Sequence, residues 1–250
     1  QLQCARDGNV ECVLDSGMSP DASDREGITP LIAASMSGKT EVARLLLERG
    51  ARINSKSNSG ATALITAAWK GDVAVLRLLL EHKADTDIQS SDGMTALMFA
   101  AWNDHPEAVA ALLSGGARVD VRDNLGWTAL MRASFKGSLR CAGDLVAKSA
   151  DVNARSNDGS SPLICAARQG RTEVISLLID HGADVNARDS AGWTALMNAV
   201  DRENLNCVRV LLKSGADPRI GGNHDVTPIQ LAKSKKNVAI VRLLITSGKV

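Results

Sequence analysis

Four histidines and five cysteines are the side chains best suited to metal binding, acid–base work or nucleophilic attack: His82, His105, His181 and His224, with Cys4, Cys12, Cys141, Cys165 and Cys207. Zinc sites need Cys or His in close, recurring spacings such as C-x-x-C. No two cysteines here are so spaced, and their count is odd. That argues against a zinc site and against a disulfide framework. Gly38-Lys39-Thr40 matches the end of a phosphate loop, but the full G-x-x-x-x-G-K-[ST] run and a preceding strand are missing. No spacing suggests a nucleophile, base and orienter acting together. The sequence is read as a non-enzyme with no catalytic residues, cofactor or metal.

The remaining chemistry is recognition by large apolar side chains. Only six aromatics occur, 2% of the 250 residues. Three sit at one phase of a 33-residue spacing, Trp69 in AAWKG, Trp102 in AAWND and Phe135 in ASFKG. The same phase marks whole units: REGITPLIAASMSG, NSGATALITAAWKG, SDGMTALMFAAWND, NLGWTALMRASFKG, NDGSSPLICAARQG, SAGWTALMNAVDRE and NHDVTPIQLAKSKK. Gly27, Gly60, Gly93, Gly126, Gly159 and Gly192 fall 33 apart, with Asp225 in the last slot. A fixed period of this length signals stacked repeats.

Each unit reads as two helices. The first starts after Thr, the expected N-cap. Pro30, Pro162 and Pro228 take the first helical position, where a missing N–H does no harm. Gly38, Gly71, Gly137 and Gly170 then mark a turn expected at positive φ. A Leu-rich second helix follows, closed by Gly50, Gly182 and Gly215. One unit cannot bury its apolar face alone, so neighbours must stack.

These motifs resemble the ankyrin repeat family, with its G-x-T-P-L-H-x-A-A-x-x-G pattern and V-x-x-L-L-x-x-G-A-x-V-N tail. The resemblance implies an all-α solenoid of antiparallel helix pairs with β-hairpin fingers. Residues 1–23 are read as a shortened N-terminal capping repeat, GNVECVLDSG being three residues short between Gly8 and Gly17. Residues 24–250 are read as seven repeats in one continuous solenoid.

Several positions depart from the pattern. Ile32, Ile65, Met98, Met131, Ile164, Met197 and Gln230 replace the family's His, so apolar packing is expected to substitute for its hydrogen bonds. Asp104, Glu203 and Lys236 replace the turn Gly, predicting strain or another turn shape. Asp144 replaces Leu45, Leu78 and Leu177, predicting a partly wet site with Lys148 at i+4. His82 and His181 are expected at helix C-termini, where a positive charge is favoured. His105 takes the slot after the turn where the family often has His, and His224 falls in a loop. Cys141 and Cys207 share the slot of Val42, Val75 and Val174 and read as core, as does Cys12 counted from Gly8. Cys165 shares a slot with Thr66, Arg132 and Asn198, so it is the candidate reactive thiol.

The resemblance also implies a protein-binding role on the concave side. Carried onto this chain, the first position after the Ala pair reads Met36, Trp69, Trp102, Phe135, Arg168, Asp201 and Ser234. Its neighbour includes Lys70, Asn103, Lys136, Gln169 and Arg202. The residue after the finger Gly includes Met94, Trp127 and Trp193, the two Trp being either contacts or braces across the next finger. Phe99 lies on the helix of Trp102. At 8–10 Å per helix, Met36–Trp69–Trp102–Phe135 is expected to line a groove of about 30 Å, turning charged at Arg168 and Asp201. The expected partner is another protein, as an extended peptide or a helix, with an apolar half over repeats 1–4. The reading is a scaffold or adaptor, against an inhibitory subunit masking an enzyme or transcription factor, or the docking domain of a longer enzyme or channel.

Net charge is +1, which implies no nucleic-acid field. The last fifty residues hold nine Lys and Arg against four Asp and Glu, including Lys233, Lys235 and Lys236. They suit a solvated terminal cap or an acidic partner. No apolar run reaches the ~18 residues of a membrane span. The opening QLQCARDGNV has no leader h-region and no Met, which is compatible with a start inside a longer protein. Thiol usage and the lack of an N-x-S/T sequon predict a reducing, intracellular, cytoplasmic setting, with the protein a monomer or a subunit of a hetero-complex.

Overall fold

The computed structural model describes residues 2–15, 19–223 and 226–247, residues 13–15 by backbone alone. Gly17, His224 and Asp225 lie outside the described residues. Sixteen helices occur among the described residues, and they group into two compact units, Gln1–Asn124 and Leu125–Val250.

In the first unit the helix pairs are α1 Leu2–Asp7 with α2 Val10–Asp15, α3 Pro30–Ser37 with α4 Thr40–Glu48, α5 Ala63–Lys70 with α6 Val73–Glu81, and α7 Ala96–Trp102 with α8 Pro106–Ser114. In the second they are α9 Ala129–Lys136 with α10 Leu139–Ala147, α11 Pro162–Arg168 with α12 Thr172–Asp180, α13 Ala195–Asp201 with α14 Leu205–Lys213, and α15 Pro228–Ser234 with α16 Val238–Ser247. Within each unit first helices stack on first helices and second on second.

The expected caps form. Thr29, Thr62, Thr95, Thr128, Ser161, Thr194 and Thr227 each accept a hydrogen bond from the backbone N–H three residues on. That satisfies one of the orphan donors at each helix start. The family's His is indeed replaced by packing: Ile32, Ile65, Met98, Met131, Ile164 and Met197 are at most 3% exposed. Gln230 is different, its side chain closing a capping box with Thr227.

The finger glycines are required twice over. Gly60 and Gly93 have φ 75° and 78°, and a Cβ there would lie 2.8 and 2.6 Å from the backbone N of Ser91 and Asn124. The close approach is a rung between fingers: Ser91 N–H donates to Ser59 O at 2.9 Å and Asn124 N–H to Asp92 O at 3.1 Å. In the second unit Ser190 N–H donates to Asp158 O at 2.9 Å and Asn223 N–H to Ala191 O at 2.9 Å. No described residue is in a strand. The fingers are turns with one such rung each, too short for a ladder.

The turns lacking Gly keep the same shape and carry the strain. Asp104, Glu203 and Lys236 have φ 58°, 56° and 59°, beside 68° and 73° at Gly38 and Gly71. Lys83 and Ser149 do the same in the second turn, at φ 65° and 63°. Asp144 is half-buried, and its only contact with Lys148 is between backbone groups, Lys148 N–H to Asp144 O. The expected side-chain pair does not form.

Two cysteine expectations are corrected. Cys4 and Cys12 are joined in a disulfide between α1 and α2, so Cys12 is not a core filler. Sequence spacing hid this, because the pairing depends on how two six-residue helices face each other. Cys165 is fully buried, and desolvation pushes its thiol up to about 12. It is therefore no reactive nucleophile. Cys141 and Cys207 are core, both at 0% exposure.

Candidate functional site

In the first unit the C-terminal end of α3, the length of α5 with Ala61 just before it, and the middle of α7 leave a hollow of about 260 Å³ lined by Met36, Ala61, Ile65, Thr66, Trp69 and Phe99. Trp69 is 57% exposed and Met36 42%, while Ile65 forms a floor at 3%. Phe99, on α7, is half-buried. The Thr66 hydroxyl donates back to Thr62 O at 3.1 Å and Ala63 O at 2.8 Å.

The end of α5 that carries Trp69 is fixed from the next repeat. His105 Nε2 lies 3.1 Å from Trp69 O, donating to the carbonyl. This uses one of the acceptors a helix C-terminus leaves over. The slot recurs in the second unit, where Arg171 Nε reaches Phe135 O at 3.4 Å and Asn204 Nδ2 reaches Gly170 O at 3.4 Å. Sequence reasoning placed His105 in its slot but missed this clasp, because the acceptor is a backbone carbonyl 36 residues away.

Lys70 is exposed and Trp102 and Asn103 half-buried. Asn103 Nδ2 donates to Phe99 O at 3.1 Å. Met94 is 8% exposed and belongs to the core. It is therefore not a presented contact residue.

In the second unit the corresponding side chains bind one another. Trp127 meets Phe135 edge-on at 5.5 Å between centroids, with the Arg132 guanidinium 4.8 Å over the Trp127 ring. Trp193 is half-buried. A Cβ on Gly222 would lie 3.0 Å from Trp193 Cδ1, so this indole braces the next finger. Arg168 sits between Asp189 at 3.5 Å and Asp158 at 3.9 Å, and its Nη2 donates to Ser160 Oγ at 3.1 Å. Asp201 pairs with Lys235 at 3.0 Å. Lys136 and Arg202 are exposed, and Gln169 is half-buried.

Among the described residues no three His, Cys, Asp or Glu gather as a metal site. No helix among them is long and apolar enough to cross a membrane. His181 caps α12, its Nδ1 donating to Leu177 O at 2.8 Å, and His82 caps α6.

The family described as Ankyrin repeats (3 copies) matches residues 2–92, 83–156 and 144–222. A curated relative, the Ankyrin repeat-containing protein P1E11.10 of Schizosaccharomyces pombe, is 45% identical over 53 residues. That stretch is 20% of this chain and spans about a quarter, 26%, of the relative. The solved human ASB11 ankyrin repeat domain superposes with a TM-score of 0.79 at 22% identity, over 88% of this chain and 98% of that one; at that identity the likeness is one of fold. Ankyrin repeats in general mediate protein–protein interaction, and their fold is typically a non-enzymatic interaction domain. With most of its length matched, and its caps, turns and finger rungs repeating every 33 residues, this chain belongs to the ankyrin repeat family.

Proposed function

We propose that this chain is a non-enzymatic scaffold or adaptor that takes a partner protein's segment against the first-helix face of its repeats. One observation carries the reading: a chain with 2% aromatics holds Trp69 57% exposed at a hollow. The fold does not require an indole there, since Arg168 and Asp201 hold the same repeat position. Exposed Trp and Met in one patch mark interaction surfaces. The clasp from His105 pre-organises the backbone under Trp69, which lowers the ordering cost of binding.

The aromatic contact is assigned to the first unit. Contacts by the second unit, through Lys136, Arg202 and the rim of the Arg168 network, are polar and weaken with salt. A cytoplasmic setting is proposed on the free thiols Cys141, Cys165 and Cys207. The Cys4–Cys12 bond counts against it, and the native N-terminal peptide's mass without reductant decides.

The test is capture of partners from native extract, identified by mass spectrometry, with wild type and the Trp69→Ala/Trp102→Ala pair. Truncating a central Trp costs about 2 kcal/mol or more, so the expected loss for a true partner is roughly thirtyfold. Trp69→Ala alone should leave the melting curve unchanged, whereas the half-buried Trp102 adds a packing loss in the pair. Capture undiminished in the double variant overturns the reading. A partner that co-purifies one to one and loses its catalytic rate on binding identifies an inhibitory subunit instead.

A further inference from the structure

The hollow beside Trp69 has a narrower chemistry than an apolar surface. Its lining is a thioether, an indole, a phenyl ring and the aliphatic side chains of Ala61 and Ile65. The one hydroxyl, on Thr66, is already turned back onto the carbonyls of Thr62 and Ala63. No ionisable side chain lines it. A polar group seated there would lose water and find only the lone pairs of the Thr66 hydroxyl to replace it.

The size limits the guest as well. A helix with its side chains is about 10–12 Å across, too wide for a space of about 260 Å³. A single large side chain fits. Lys70 is not part of the lining but follows the lining residue Trp69 in the chain; it is exposed and has no ion pair among the described residues. Its repeat equivalents on either side, Ser37 and Asn103, are uncharged.

We propose that the hollow receives one Leu, Met or Phe side chain of a partner segment, followed by a carboxylate that meets Lys70. This rests on the reading that the first unit's first-helix face binds protein, and it specifies what enters. The ammonium sets which neighbour is accepted and the apolar walls set which side chain is seated. Discrimination then comes from the difference between two contacts rather than from area.

The experiment uses the full chain labelled with 5-fluorotryptophan. The Trp69 resonance is assigned by its loss in Trp69→Phe. Three synthetic decapeptides serve as probes, identical except for a central Leu-Glu, Leu-Lys or Ser-Glu. The Leu-Glu peptide is expected to shift the Trp69 resonance and to bind at least about tenfold more tightly than the others, a difference worth one decade in Kd. Lys70→Glu should invert the preference between Leu-Glu and Leu-Lys. Ala61→Leu should fill the hollow and weaken Leu-Glu by a similar factor. Thr66→Val, which keeps the shape and removes the hydroxyl, should bind as wild type, and a melting curve of Ala61→Leu like that of wild type excludes misfolding as the cause of its weaker binding.

Equal affinity for Leu and Ser peptides, no shift at millimolar Leu-Glu, or a preference untouched by Lys70→Glu overturns the proposal. If Trp69→Ala/Trp102→Ala abolishes partner capture while Ala61→Leu binds Leu-Glu normally, the face is right and the guest is wrong. If the double variant captures normally, both readings fall.

Discussion

At the position after the Ala pair, Gln1–Asn124 places Met36 and Trp69, and Leu125–Val250 places Arg168 and Asp201. Both sets stand on helices with the same Ser or Thr cap and the same left-handed turn. The surroundings differ. Trp69 and Met36 are 57% and 42% exposed. Arg168 is drawn between Asp158 and Asp189, whose side chain is only 9% exposed, and Asp201 is paired with Lys235. The repeat frame leaves this position free. The second unit uses it at Arg168 and Asp201 to hold itself together, and the first presents it to solvent at Met36 and Trp69, with Trp102 half-buried.

The comparison is broken most directly by truncating both sides. Arg168→Ala should destabilise by about 2 kcal/mol in urea unfolding, since it strips a nearly buried carboxylate of its cation; the partial exposure of Arg168 keeps this below the fully buried figure. Trp193→Ala should cost about 1.5 kcal/mol through lost packing on Gly222. Trp69→Ala should stay within about 0.5 kcal/mol. A Trp69 variant as unstable as the Arg168 variant would make the indole a structural brace and erase the contrast.

A smaller effect tests the shared frame. Lys83→Gly in the first unit and Ser149→Gly in the second relieve a left-handed residue in equivalent turns. Each should stabilise by about 1 kcal/mol, read from the shift in melting temperature. Unequal gains would mean that the two units do not share one turn geometry.

The smallest effect is in acid. Burial alone would raise the Asp158 carboxyl, but hydrogen bonds from Ser156 and Ser160 and the charge of Arg168 outweigh it and hold the group below its ordinary value. A depressed carboxylate adds stability above its unfolded pKa and loses it as pH falls through the folded one. The second unit should therefore weaken from about pH 4 downward, and the slope should shrink in Arg168→Ala. An unchanged slope would remove Arg168 from that balance.

The helix pairs were legible because their signals are local. Thr or Ser before each first helix from α3 onward, Pro30 at the start of α3 and Gly38 at its end report contacts within a few residues. The aromatic phase was legible as well, through a spacing of 33. The polar slot-mates Thr66, Arg132 and Asn198 point Cys165 to the surface, whereas the short thiol is fully buried. The finger position of Met94 predicts a surface side chain, yet the flexible thioether packs inward and is 8% exposed. Trp127 and Trp193 share one motif with two outcomes open, and only their neighbours, Phe135 with Arg132 and Gly222, showed what each ring lies against.

The amino-acid order by itself determined where helices begin and end, and that units of 33 must stack, because caps, turns and an apolar face act over one repeat. It also determined that Trp69 stands where the core asks for nothing. Only the tertiary structure decided that Trp69, Met36 and Phe99 enclose a hollow and that Arg168 closes on two carboxylates. Those arrangements depend on which side chains from different repeats come within a few ångströms, and distance in space between repeats is not written in spacing along the chain.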